Sequence, residues 1–119
     1  MSIDQVIIAG SRSFNNPQMV DEALREWELN HGPIAQVISG AARGADKLGE
    51  EWALRNDKQL LRMPAEWNKH GRMAGYKRNE EMAKVAHGLV AFWDQESRGT
   101  MHMIWTMESM KKPYQVVRY

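Results

Sequence analysis

Three short loops in this chain each bring together small residues, hydroxyls and an arginine, a combination suited to gripping an anion. The middle one, Ser39-Gly40-Ala41-Ala42-Arg43-Gly44-Ala45-Asp46, follows the apolar run Gln36 to Ile38 and opens a helical pattern. A glycine-rich turn between strand and helix lets backbone N–H groups converge on a ligand, and the positive helix end beside it favours phosphate. Gly10-Ser11-Arg12-Ser13-Phe14 follows the first apolar run, and Asp94-Gln95-Glu96-Ser97-Arg98-Gly99-Thr100 follows the fourth. The middle loop matches neither a P-loop, whose Lys-Ser/Thr ending it lacks, nor the three-glycine dinucleotide fingerprint. Taken alone, its glycines are equally explained by a tight turn. Recurrence of the pattern wherever a strand should end is what makes these loops a candidate site.

The residues in and near the loops divide by chemistry. Ser97-Arg98-Gly99-Thr100 offers a capping hydroxyl, a guanidinium, free N–H groups and a second hydroxyl at a helix entrance, the better phosphate site of the two. Asp46 falls in the first turn of its helix, where a carboxylate satisfies the dipole and repels phosphate; helix capping or a bond to a ribose hydroxyl are its alternatives. Arg12 and Arg43 are placed on loops where ligand contact is as reasonable as a surface ion pair. Arg78 lies on a later helix, where a lone arginine is commonly solvated. Phe14 or Trp67 offers a face to a base, or else closes the core. His31, His70, His87 and His102 lack paired spacing, so no metal site is expected, and no cofactor is implied. Neither a nucleophile elbow nor a Ser-His-Asp arrangement is legible.

The elements that must position these loops follow from composition and periodicity. A chain of 119 residues, 43% hydrophobic and 26% charged, suits one domain around one core. Its net charge of +1 arises from 16 basic and 15 acidic residues spread along the chain, with no basic tail or patch, so nucleic acid is not the expected partner. Cysteine is absent, which excludes disulfides and thiolate chemistry. The start Met1-Ser2-Ile3-Asp4 carries no signal-peptide pattern and the apolar runs are far short of a membrane span, so a cytoplasmic location is expected and no membrane partner.

Gln5 to Ala9 predicts a strand ending at Gly10, and Asn16-Pro17 a helix start. Val20, Ala23, Leu24 and Trp27 share one helical face, closed by His31-Gly32-Pro33. After a strand at about 35–39, Ala45, Leu48, Gly49, Trp52 and Ala53 form a second amphipathic face, with Gly49 permitting close packing on the sheet. Lys58 to Met63 predicts a third strand, followed by a long irregular connection, Ala65 to Gly75, of the kind that is often functional. A helix over Ala74 to Ala86 and a strand over Gly88 to Trp93 come next. The helix Thr100 to Lys111 is apolar almost all round (Met101, Met103, Ile104, Trp105, Met107, Met110), for which a second subunit is the simplest cover; a homo-oligomer is expected. Tyr114 to Arg118 completes the pattern.

Strand and helix alternating in this way predict a Rossmann-like three-layer α/β/α sandwich with a mainly parallel five-stranded sheet. Strand order 3-2-1-4-5 puts the crevice between the first and fourth strands, where ligands bind in such sheets. The first and third loops then face each other across it, with the middle loop alongside.

Ile8-Ala9-Gly10-Ser11-Arg12, Ser39 to Asp46, Pro64-Ala65-Glu66-Trp67 with Gly71, Ala74-Gly75, Arg78-Asn79, Ala91-Phe92-Trp93-Asp94 and Ser97-Arg98-Gly99-Thr100 together resemble the YspA-type branch of the SLOG superfamily over nearly the whole chain. That superfamily also holds the lonely-guy (LOG) phosphoribohydrolases and the DprA proteins, so the resemblance implies a nucleotide or nucleotide-derived ligand. The expected ligand-binding set is Gly10, Ser11, Arg12 and Phe14 in the first loop, and Gly40, Arg43, Gly44 and Asp46 in the second. Arg78 and Asn79 join it from the helix, with Asp94, Ser97, Arg98, Gly99 and Thr100 from the third loop. Arg98, Arg12 and the Gly99-Thr100 amides are expected to hold phosphate.

The LOG enzymes use an arginine on the helix before the fourth strand and a Gly-Thr-x-x-Glu loop. Arg78 and Gly99-Thr100 match these, but the glutamate position is Met103, and a thioether neither accepts a proton nor stabilises an oxocarbenium ion. Three functions follow. The leading one is binding of a nucleoside phosphate, NAD or ADP-ribose type of ligand by a sensor or sequestering protein. The second is an N-glycosidic hydrolase with Arg78 and a carboxylate from Asp94 or Glu96. The third is a protein or nucleic-acid adaptor with a vestigial pocket.

Overall fold

The two strands that flank the expected crevice, β1 (Gln5–Gly10) and β4 (Gly88–Trp93), are neighbours at the centre of the sheet. They pair in parallel from Val6 opposite Gly88 to Gly10 opposite Phe92. The computed structural model describes residues 4–119; the Met1–Ile3 start, read above for the lack of a leader, lies outside the described residues. With β2 (Gln36–Ser39), β3 (Gln59–Arg62) and β5 (Tyr114–Arg118), the sheet runs β3-β2-β1-β4-β5. Every pairing is parallel. This is the Rossmann-like layering expected from the alternation, in the strand order that puts the crevice between β1 and β4.

Alternate residues of the central strands enter separate cores. Val6 and Ile8 pack with Trp27 of α1 (Pro17–His31) and Trp52 of α2 (Ala45–Arg55). Ile7 and Ala9 pack with Met82 of α4 (Ala74–Val85) and with Met103 and Met107 of α5 (Arg98–Ser109). Burial on both faces is why these strands read as unbroken apolar runs rather than alternating ones. Gly49 of α2 lies against β1, where an added Cβ would stand 2.6 Å from Ile8 Cγ2, so the helix rides directly on the strand.

Local chemistry fixes the helix ends. Asn16 Oδ1 accepts the Met19 N–H at 3.1 Å, and Pro17 occupies the first turn, as the Asn-Pro pair predicts. The far end of α4 is held by Lys112, whose Nζ donates to the carbonyls of Ala83 at 2.6 Å and Ala86 at 2.8 Å. A cation on otherwise unpaired C-terminal carbonyls also complements the helix dipole.

The connection read as irregular contains a single helical turn, α3 (Trp67–His70), and one 3₁₀ turn over Gly71–Met73 leading into α4. Both are too short to show a hydrophobic period. On α5, Thr100, Met103, Thr106 and Met107 face the sheet, while Met101 and Trp105 are exposed by 52% and 63%. Among the described residues, no helix is long and apolar enough to cross a membrane.

Candidate functional site

The three loops meet where β1 and β4 end, and Ser11 holds them there. Its N–H donates to the Phe92 carbonyl at 3.1 Å, and its own carbonyl accepts from Phe14 N at 3.2 Å and Ala45 N at 3.3 Å. Its hydroxyl accepts the Asp94 N–H at 3.3 Å. Gly44, at φ +78°, passes so close that a Cβ would lie 2.4 Å from Ser11 O and 2.5 Å from Arg12 O. Gly10 is equally constrained, with a Cβ 2.2 Å from Phe92 O. These three residues of the expected ligand set therefore build the crossing of the loops.

The middle loop is braced from below. Ser39 Oγ donates to Glu50 Oε2 at 2.6 Å and accepts Ala41 N at 3.0 Å, and Arg62 Nε pairs with the same carboxylate at 3.2 Å. Ala41 and Gln95, at φ +62° and +69°, hold left-handed conformations in the middle and third loops. Such conformations cost about 1 kcal/mol or more in a non-glycine residue and gather at functional sites.

A cavity of about 240 Å³ opens above this base, with Arg12, Ala42 and Asp46 on one side and Tyr76, Arg78 and Asn79 of α4 on another. Gly99, Thr100 and Met103 close it from α5. A second hollow of about 380 Å³ adjoins it beneath Gly40, Arg43 and Pro64. Arg12, Ala42, Trp67 and Arg78 line both and so stand on the divide. Arg78 is fixed there by Nη1 donating to the Gly40 carbonyl and Nε donating to Asn79 Oδ1 at 3.1 Å. Gly40 makes the room, since a Cβ would fall 2.4 Å from Arg78 Nη1 and 2.8 Å from Asp46 Oδ2. Asn79, itself buried, donates from Nδ2 to the Gly99 carbonyl at 3.1 Å and ties α4 to the entrance of α5.

Asp46 is 5% exposed, and burial pushes its carboxyl up from 3.8 to about 6. The Ala42 N–H at 3.2 Å and the charges of Arg78 and Arg12 oppose that rise, whereas Glu50 adds to it. Burial also draws Arg78 below the ordinary guanidinium value, with Asp46 opposing and Arg12 reinforcing.

At the α5 entrance, Ser97 Oγ accepts the Thr100 N–H at 3.3 Å and meets Thr100 Oγ1 at 3.0 Å. That Thr100 amide, expected to hold phosphate, is therefore taken by the cap. The N–H groups of Arg98 and Gly99 have no acceptor among the described residues. Asp94 Oδ1 accepts from Ser97 N at 2.8 Å and Glu96 N at 2.9 Å, bonds that hold its carboxyl below the usual range. With Arg12, Arg43 and Ser97 it lines another hollow of about 550 Å³, which shares Arg12 with the cavity. Arg98 and Glu96 are exposed and do not line the cavity.

The sequence of the YspA, cpYpsA-related SLOG family (YAcAr) matches residues 5–70. The chain belongs to that family. Gene 61 protein of Mycobacterium phage D29 is 33% identical to it over 122 residues, covering 97% of this chain and 95% of that protein. No solved structure matches the chain. The part matched by the YAcAr family carries β1, β2, the first two loops and Trp67; Arg78, Asn79, Gly99 and Thr100 complete the cavity from beyond it.

Within this YAcAr fold, one expectation for the site is corrected outright. Phe14 does not offer a face to a base: it is 4% exposed and stacks on Phe92 at a centroid distance of 4.8 Å, with Tyr119 at 4.9 Å on it. Trp67, 51% exposed on the cavity rim, is the aromatic left to do so. Met103, the residue that the resemblance sets at the LOG glutamate position, is buried and lines the cavity. Sequence reading missed Arg72, in the 3₁₀ turn, and Tyr76, three residues before Asn79 on α4; both line the cavity.

Proposed function

We propose that this protein binds a nucleotide or nucleotide-derived ligand in the cleft where β1 and β4 end, acting in the cytoplasm as a sensor or sequestering protein. The observation that carries this reading is the placement of Arg12 and Arg78 on the divide between two adjoining hollows, beside the exposed ring of Trp67. Two guanidiniums lining one cavity suit the non-bridging oxygens of a phosphate held between them. The free Gly99 N–H at the positive end of α5 supplies a third contact, and Trp67 supplies a face for a base. Arg43, lining the second hollow, neutralises a further charge of a nucleoside phosphate, NAD or ADP-ribose type of ligand.

Binding rather than N-glycosidic hydrolysis is favoured because Asp94 and Glu96, the carboxylates offered for that chemistry, do not line the cavity, and Met103 stands at the position that the resemblance gives to the LOG glutamate; Asp46, the carboxyl that does line it, bonds the Ala42 N–H. Exposed Met101 and Trp105 on α5 are the surface by which the protein would form a homo-oligomer. Native mass spectrometry of freshly purified protein, followed by a thermal-shift panel of nucleoside monophosphates, NAD, ADP-ribose and cyclic nucleotides, tests the reading. A retained or stabilising nucleotide is expected. A well-folded protein that answers to none of them would turn the assignment towards an adaptor with a vestigial pocket.

A further inference from the structure

An anion site with a carboxylate in its wall poses a problem, because the carboxylate repels the ligand that the arginines attract. Asp46 is that carboxylate. It lines the cavity with Arg12 and Arg78 and is almost wholly buried. Its Oδ2 accepts the Ala42 N–H, while Oδ1 has no hydrogen-bond partner among the described residues. No ion pair joins it to either arginine among the described residues, and Arg78 Nη1 is directed to the Gly40 carbonyl instead. The charged groups that face it are Arg78 from α4, Arg12 from the first loop, and Glu50 one turn along α2. A carboxyl so placed is poorly compensated as an anion, yet as an acid it has an O–H to give to a ligand oxygen.

We propose that the cavity takes up its phosphate together with one proton, which Asp46 holds while donating a hydrogen bond to a phosphate oxygen. The inference rests on the nucleotide reading above and deepens it. It specifies that the group seated beside Asp46 is an anion with acceptor oxygens, and that binding tightens as pH falls through neutrality. Before binding, burial already places the carboxyl at about 6, so the proton is readily acquired near pH 7. A phosphate arriving nearby raises it further by like-charge repulsion and by the new hydrogen bond. By linkage, affinity then rises roughly tenfold per pH unit between the free and bound titration midpoints.

The test is carboxyl ¹³C NMR of the full chain labelled in aspartate, titrated over the pH range 5–8 with and without AMP, the Asp46 signal being assigned through its own backbone. The expected result is a free midpoint near 6 that moves up by at least one pH unit with saturating AMP. In parallel, Asp46→Asn, a permanently neutral donor, should bind AMP about tenfold more tightly than wild type at alkaline pH and converge with it in acid. Comparing the two proteins cancels the phosphate's own titration. If AMP perturbs the Arg12 and Arg78 region but leaves the Asp46 midpoint where it was, proton uptake is refuted and nucleotide binding stands. If neither AMP nor inorganic phosphate perturbs the cleft, both readings fall. Should Asp46→Asn not fold, the wild-type titration alone decides.

Discussion

Asp46 and Arg78 both line the cavity without pairing: the arginine donates to the Gly40 carbonyl, while the carboxylate accepts the Ala42 N–H at 3.2 Å. Each charge is held by backbone rather than by the other. Both therefore remain able to respond to a ligand, and the protein carries a buried, weakly compensated carboxylate for the sake of the site.

Replacing that carboxylate should stabilise the fold. The folded carboxyl titrates near 6 and the unfolded one at the ordinary 3.8, so the native state holds the extra proton between those values. Its stabilising contribution is full below the lower value and is lost as pH rises through the upper one. Asp46→Asn is expected to exceed wild type by up to about 3 kcal/mol at pH 7 and above, and to match it near pH 4. Denaturant melts across this range check it; a pH-independent difference would contradict the burial argument.

Gly40→Ala should separate binding from folding. Its new Cβ meets the end of the Arg78 side chain and Asp46 Oδ2, side-chain ends rather than backbone, so the stability cost should stay within about 1–3 kcal/mol. Nucleotide affinity should fall by about tenfold or more, the loss of one charge-assisted contact. Thermal melts and calorimetric titration of the same sample read both quantities.

Gly49→Ala should destabilise even though alanine is the better helix former by about 1 kcal/mol. The added methyl meets Ile8 at 2.6 and 2.7 Å, close to the strand itself, and overpacking of this kind costs about 1–3 kcal/mol. A lower Tm is the expected outcome, and a higher one would show that α2 can lift from the sheet.

Lys112→Met keeps the alkyl stem but removes the donor to the Ala83 and Ala86 carbonyls. The expected loss is about 1–3 kcal/mol, as for buried acceptors left unpaired. Hydrogen exchange should show it first at the C-terminal turn of α4.

The layering was legible because each local signal agreed with the whole. Unbroken apolar runs marked strands covered on both faces, and Asn16-Pro17 and Ser97 marked helix starts that the structure caps with those side chains. The meeting of the three loops followed from strand order alone. What stayed hidden depended on distant partners. Phe14 is a core residue only because Phe92 and Tyr119 arrive from the ends of β4 and the chain. That two amides of its own loop bond Asp94 Oδ1 depends on how the loop folds back, which its place after a strand does not reveal. Asp46 reads as a first-turn carboxylate that caps its helix or bonds a ribose, since nothing local shows that it is buried beside Arg12 and Arg78. Tyr76 stands one helical turn before Asn79, a spacing that marks it for the same face.

The central claim is that a nucleotide phosphate is held between Arg12 and Arg78. Calorimetric titration of AMP, NAD and ADP-ribose into wild type, Arg78→Ala and Arg98→Ala tests it most directly. The account predicts that at least one of these ligands binds wild type, that Arg78→Ala weakens it by about tenfold or more, and that Arg98→Ala, outside the cavity lining, stays within about threefold. Undiminished affinity in Arg78→Ala, or loss confined to Arg98→Ala, would contradict it and move the phosphate to the exposed entrance of α5.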